Sequence, residues 1–151
     1  MGAGSYLSFV GGTIMSVIIY TDGSFKDNTI GWAFVVVNQK KVVYTENGVI
    51  ATPEPSLLKI RNIAGEMKAV MQAVSWAIHH SYGRVLIRHD YIGLSHWIHG
   101  KWKTKNQHTK QYKDWMLSEP VQILFHHVPG HSGNEYNDLA DKLAKEAIDN
   151  A

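Results

Sequence analysis

Asp22 closes the run Ile18-Ile19-Tyr20-Thr21, whose β-branched and aromatic composition predicts a strand leading into a glycine turn at Gly23. An unpaired carboxylate is costly to bury, so an acid at the end of such a run calls for a neutralising partner. A metal ion is the partner that several acids can share. Glu66 in Asn62-Ile63-Ala64-Gly65-Glu66, Asp90 in Arg88-His89-Asp90-Tyr91 and Asp141 in Asn137-Asp138-Leu139-Ala140-Asp141 stand in settings that fit the same use. Oxygen donors of this kind suit a hard divalent ion such as Mg²⁺, which keeps several of its waters. Without a cation, each close pair of carboxylates would repel by about 4 kcal/mol at a protein-like effective dielectric. A bound metal should therefore stabilise the fold as well as enable chemistry.

Each acid also has a plain structural use. Glu66 would gain from the macrodipole in the first turn of a helix, Asp90 could cap the helix that follows it, and Asp141 could pair with Lys145 four residues on. Asp138, three positions before Asp141, would pair with Lys142 on the same surface. His131 lies in the glycine-flanked loop Gly130-His131-Ser132-Gly133, a place for a histidine that titrates near neutrality. Lys101, Lys103, Lys105, Lys110 and Lys113 follow one another with no acid among them, with Trp97, Trp102, Tyr112 and Trp115 interleaved or adjacent. Lysines neutralise phosphates and aromatic faces stack on sugars or bases, so this segment has the composition of a surface that tracks a nucleic-acid backbone.

The elements that must position these residues follow from periodicity. Gly31 to Asn38 and Lys41 to Gly48 read as strands joined by a short turn at Asn38 to Lys40, which implies antiparallel pairing. Thr52-Pro53-Glu54-Pro55-Ser56 reads as loop. Ile63, Met67, Val70, Met71, Val74, Ala77 and Ile78 recur at helical spacing, giving a helix to about His80. Val85 to Arg88 reads as a strand, Ile92 to His99 and His108 to Met116 as helices, Val121 to His127 as a strand, and Asn134 to Asp149 as a final helix. Strands followed by alternating helices and strands imply an α/β layer fold with a mixed sheet.

In this order, Thr21-Asp22-Gly23-Ser24, Glu66 opening a helix, Asp90 ending a strand, Pro129-Gly130-His131-Ser132-Gly133, Asn137 and Asp141 resemble a type 1 ribonuclease H. The resemblance runs from about Ser16 to Ala147. It implies a ribonuclease H-like fold with a five-stranded mixed sheet flanked by helices, in one catalytic domain over residues 15–151, after a flexible extension over 1–14 with Met15 as an alternative start. It also implies an endonuclease that hydrolyses the RNA strand of an RNA–DNA hybrid with two Mg²⁺ ions, Mn²⁺ being a possible substitute, and leaves 5′-phosphate and 3′-hydroxyl ends. By the same resemblance, Asp22 bridges both ions, Glu66 and Asp90 complete the surroundings of one, and Asp141 supports the other. His131 would assist proton transfer or product departure. The backbone at Gly23 and Ser24 and the Asn62 side chain would detect the 2′-hydroxyl, and Arg61 would touch a phosphate. Trp97, Lys101, Trp102, Lys103 and Lys105 would form the basic protrusion. The partner implied is a hybrid duplex, met by a monomer. Two departures stand out: the third acid lies in His-Asp-Tyr rather than Thr-Asp-Ser, and the segment from Asp90 to Trp97 is shorter than in well-known bacterial relatives.

Bulk properties are consistent with this reading. A chain of 151 residues with 44% hydrophobic residues suits one buried core. The net charge of +2 does not by itself announce a nucleic-acid binder. The absence of Cys excludes disulfides and Cys-based zinc sites and is compatible with the cytoplasm. Trp32 to Val37 is the longest apolar run, far short of a membrane span, so no membrane partner is expected. The first fifteen residues lack the basic and apolar regions of a signal peptide, and Tyr6 departs from the myristoylation pattern. Two rival readings are a module that binds hybrids without cutting and a different nuclease on the same fold. The presence of all four acids speaks against the first, and the Thr-Asp-Gly-Ser and Gly-His-Ser-Gly elements speak against the second.

Overall fold

The computed structural model describes residues 9–10, 13–129 and 133–151. His131 lies outside the described residues. A short antiparallel ladder pairs β1 (Phe9–Val10) with β2 (Thr13–Ile14). The main sheet contains β3 (Ser16–Lys26), β4 (Thr29–Asn38), β5 (Lys41–Ile50), β6 (Arg84–His89) and β7 (Gln122–His127), in the order β5-β4-β3-β6-β7. The pairs β3–β4 and β4–β5 are antiparallel, whereas β6 runs parallel to β3 and β7 parallel to β6. The helices are α1 (Pro55–Leu58), α2 (Asn62–His79), α3 (Gly93–Ile98), α4 (Gln107–Ser118) and α5 (Glu135–Asp149). The chain thus has the expected ribonuclease H-like fold with its five-stranded mixed sheet.

Strand alternation gives the sheet two apolar faces. Val17 and Ile19 of β3 pack with Trp32, Phe34 and Val36 of β4 under α2, α3 and α4. Tyr20, Val35 and Val37 face the other way and pack against Ala140 of α5, with Tyr136, Leu139 and Leu143 at the margin. The two hairpins turn at Asp27-Asn28 and Gln39-Lys40, where every residue has positive φ, between 50° and 64°. That pairing of left-handed residues matches the right-handed twist of the flanking strands.

Two local expectations change. No turn occurs at Gly23, because β3 runs on to Lys26 and pairs Gly23 with Trp32. Glycine is required there because α2 presses on the strand. A Cβ at Gly23 would meet the Glu66 amide nitrogen, the Gly65 carbonyl carbon at 2.5 Å and the Asn62 oxygen at 2.7 Å. Gly65 answers from the helix, where an added Cβ would lie 3.0 Å from the Gly23 Cα. The second change is that Pro55 and Ser56 belong to α1 rather than to a loop. Proline is well accommodated at the first helical position, where its missing N–H is not needed. Among the described residues, no helix is long and apolar enough to cross a membrane.

Candidate active site

The close approach at Gly23 and Gly65 places α2 so that Glu66 arrives beside Asp22. Helix α2 begins at Asn62, which makes Glu66 its fifth residue and corrects the expectation of a first-turn acid. Glu66 therefore lies buried in the second turn, beyond the helix end at which the macrodipole would favour an acid. Asp90 follows the last residue of β6, next to β3 in parallel register. These elements bring one oxygen each from Asp22, Glu66 and Asp90 within 4.8 Å of one another. Asp22 and Glu66 are each only 3% exposed.

Such a cluster is electrostatically loaded. Burial pushes the Asp22 carboxyl up to about 7, the charges of Asp90 and Asp141 add to the rise, and contact with Glu66 and the Gly23 N–H opposes it. The Gly23 N–H donates to Asp22 Oδ1 at 2.8 Å. Burial holds the Glu66 carboxyl well above the usual carboxylate range, reinforced by Asp22 and Asp90. Asp90 is raised as well, mainly by burial. Glu66 Oε2 is buried without a hydrogen-bond partner. Oxygen-only donors, mutual repulsion and a buried orphan carboxylate oxygen together fit a hard divalent cation.

The trio opens into a cleft of about 510 Å³ that is also lined by Gly23, Ser24, Arg61, Asn62, Tyr91, Asp141 and Lys145. Asp141 is thus near the trio but apart from it. Its side chain is 33% exposed and accepts a hydrogen bond from Lys145 Nζ at 3.0 Å. The plain structural use of Asp141 is therefore realised here, and its carboxylate also raises Asp22 and Asp90 through space. An exposed pair of this kind is worth little, so it presents a small obstacle to metal binding. Asp138 is exposed and does not line this cleft. Lys142 does not pair with it as expected; it sits 3.7 Å from Glu146, also one turn away.

Arg61 and Asn62 meet the cleft at the start of α2, where Arg61 adopts φ 48° and ψ −124°. A non-glycine residue in that region is strained, and such strain concentrates at binding sites. Lys101, Trp102, Lys103 and Lys105 are exposed between α3 and α4. Trp97 does not share their surface. It is 8% exposed, belongs to the core, and packs edge-on against Trp102 and Tyr112 with ring centroids 6.1 and 6.4 Å away. Its expected contact with nucleic acid is corrected, because a ring enclosed on α3 offers no free face for stacking. Trp102, by contrast, is 40% exposed. Tyr91 was not singled out from the sequence, although it directly follows Asp90 and lines the cleft. Its adjacency to the acid was the available signal.

A sequence model of the RNase H family matches residues 15–149. Ribonuclease H of Treponema pallidum is 31% identical over 153 residues, covering 87% of this chain and 90% of that one. The crystal structure of RNase H1 from the halophilic archaeon Halobacterium salinarum superposes with a TM-score of 0.75 at 22% identity, covering 90% of this chain and 99% of that one. LC11-RNase H1, solved in complex with an RNA/DNA hybrid, gives a TM-score of 0.72 at 23% identity over 89% of this chain and 97% of that one.

Proposed function

The chain belongs to the ribonuclease H family of enzymes, and from that premise we propose that it cuts the RNA strand of RNA–DNA hybrids endonucleolytically in the cleft around Asp22. The observation that carries this reading is the convergence of Asp22, Glu66 and Asp90 within 4.8 Å, beside Arg61 and Asn62. Two divalent ions, Mg²⁺ or in its place Mn²⁺, would supply an activated water, a stabilised leaving oxygen and charge neutralisation. Asp22, Glu66 and Asp90 would hold them, with Asp141 reaching in from α5. Backbone groups at Gly23 and Ser24 and the Asn62 amide would face the 2′-hydroxyl of the RNA strand, the group that distinguishes it from DNA. Arg61 would meet a phosphate at the rim. Lys101, Lys103 and Lys105 would neutralise phosphates further along the duplex, with Trp102 offering a stacking face. His131 would assist proton transfer or departure of the product.

Water attacking phosphorus and expelling the 3′ oxygen leaves 5′-phosphate and 3′-hydroxyl ends. The site holds all its own carboxylates, which supports action as a monomer, and the Cys-free composition suits the cytoplasm. The test compares end-labelled RNA–DNA hybrid, duplex RNA, duplex DNA and single strands, each with Mg²⁺ or with chelator. Metal-dependent cutting of RNA in the hybrid alone is expected. Tight hybrid binding with no cutting would replace this reading by the non-cleaving module. Products with a 2′,3′-cyclic phosphate would mean that the 2′-hydroxyl, rather than water, was the nucleophile.

A further inference from the structure

The backbone that carries Asp90 is gripped from two sides by histidines. Strands β6 and β7 end together, with His89 directly opposite His127 in the parallel ladder, and the Val128 N–H extends the ladder by donating to the His89 carbonyl at 2.6 Å. Beyond that point the chain leaves β6, and only Asp90, Tyr91 and Ile92 separate it from α3. Across this short link, His127 Nε2 lies 2.9 Å from the Asp90 carbonyl oxygen and His89 Nδ1 lies 2.9 Å from the Tyr91 carbonyl oxygen. A carbonyl can only accept, so both rings must donate, which fixes the Nε2–H form at His127 and the Nδ1–H form at His89. The Tyr91 carbonyl also receives the Leu94 N–H at the start of α3. The Asp90 carbonyl has, among the described residues, the His127 ring as its hydrogen-bond donor.

The geometry points to His127 as a positioning residue that acts through the Asp90 main chain: its Nε2–H fixes the peptide after Asp90 and so aims the Asp90 carboxylate at Asp22 and Glu66. This inference rests on the reading of the trio as a metal site. Groups that orient ligands matter in general because a misdirected carboxylate loses affinity even when every ligand is present. His127 is exposed at the end of an edge strand, where its ring meets that of buried His89 in a tilted contact with centroids 6.0 Å apart.

The test uses the full chain in three forms: parent, His127→Phe, which keeps a ring without a donor, and His127→Gln, whose amide nitrogen can stand near the place of Nε2. Calorimetric titration with Mn²⁺ in the absence of hybrid should show His127→Phe binding about tenfold more weakly, with His127→Gln within about twofold of the parent. The Mg²⁺ concentration for half-maximal cleavage should follow the same order, while hybrid affinity in chelator stays unchanged in all three. Equal Mn²⁺ affinity for the parent and His127→Phe, or an equal loss in both variants, would overturn the inference. A parent that binds no Mn²⁺ at the trio would instead overturn the metal reading beneath it. Ring ¹⁵N shifts of the unmodified chain give an answer that needs no variant: the Nε2–H form at His127 is expected, and the Nδ1–H form would overturn the proposal.

Discussion

The carboxylate cleft and the lysine segment between α3 and α4 solve opposite problems. Asp22, Glu66 and Asp90 are held by a central strand, a packed helix and a strand end, and their carboxyl groups are forced together at the floor of a cleft, the first two buried and Asp90 half-buried. Lys101, Lys103 and Lys105 are exposed outside helix and strand, and among the described residues they make no ion pair with an acid. A reaction centre needs its groups fixed before the substrate arrives, and the cost of fixing them is repulsion that a cation can relieve. A phosphate-tracking surface needs charge that can adapt to a backbone, and each such contact is paid back mainly through released counterions. Mutations should therefore separate cutting from holding.

The largest separation is expected at the centre. Asp22→Asn or Asp90→Asn should lower Mg²⁺-supported cleavage by about a thousandfold or more, equivalent to about 4 kcal/mol of transition-state stabilisation, while hybrid affinity changes little. Gel-shift and cleavage assays on the same preparations check both halves, and a mutant with near-normal turnover would break the comparison. At the edge of the cleft, Asp141→Asn should cost roughly 10- to 100-fold in cleavage, by analogy with groups that support a metal site. Asp138→Asn should stay within about twofold, as expected of an exposed residue outside the cleft. The reverse order would shift the functional face of α5 by one turn.

The trapped charge also predicts a pH dependence. The Asp22 carboxyl is raised from 3.8 to about 7, first by burial. As pH climbs through that window, the unfolded chain gives up this proton while the folded chain keeps it, so the native state binds more protons and metal-free stability falls. Below about pH 4 the term vanishes, and above about pH 7 it levels off, with a total of at most about 4 kcal/mol from this group. Chelator-treated protein should melt lower at about pH 8 than at about pH 5, Mg²⁺ should recover much of the difference at the higher pH, and Asp22→Asn should flatten the slope. A metal-free protein whose stability rises over this window would contradict the burial argument. The smallest effect on cutting itself is expected in the lysine segment. Replacing Lys101, Lys103 and Lys105 together with Ala should weaken hybrid binding and reduce the slope of log affinity against log salt by up to about 3, with single-turnover cutting at saturating hybrid nearly unchanged. An unchanged slope would assign these lysines to a merely solvated surface.

Much of the fold was legible because its signals are local. The apolar periodicity of α2, the strand composition and the short turn at Asn38 to Lys40 need only neighbours in sequence. The acids were legible for a related reason, since a carboxylate at the end of Ile18-Ile19-Tyr20-Thr21 conflicts with its surroundings. What failed depended on contacts across the fold. Gly23 looked like a turn because its sequence gives no sign that α2 will pass so closely over it. Trp97 was grouped with the lysines because interleaving in sequence does not reveal which face of α3 turns inward. The roles of His89 and His127 arise only when β6 and β7 end in register.

The most direct test of the central claim is an anomalous-scattering crystal structure of the full chain with Mn²⁺ and a non-cleavable hybrid. The account predicts ion density in contact with the Asp22, Glu66 and Asp90 carboxylates, with the RNA strand of the hybrid against it. A cleavage-competent complex with its ions elsewhere, and this trio left uncoordinated, would contradict the account.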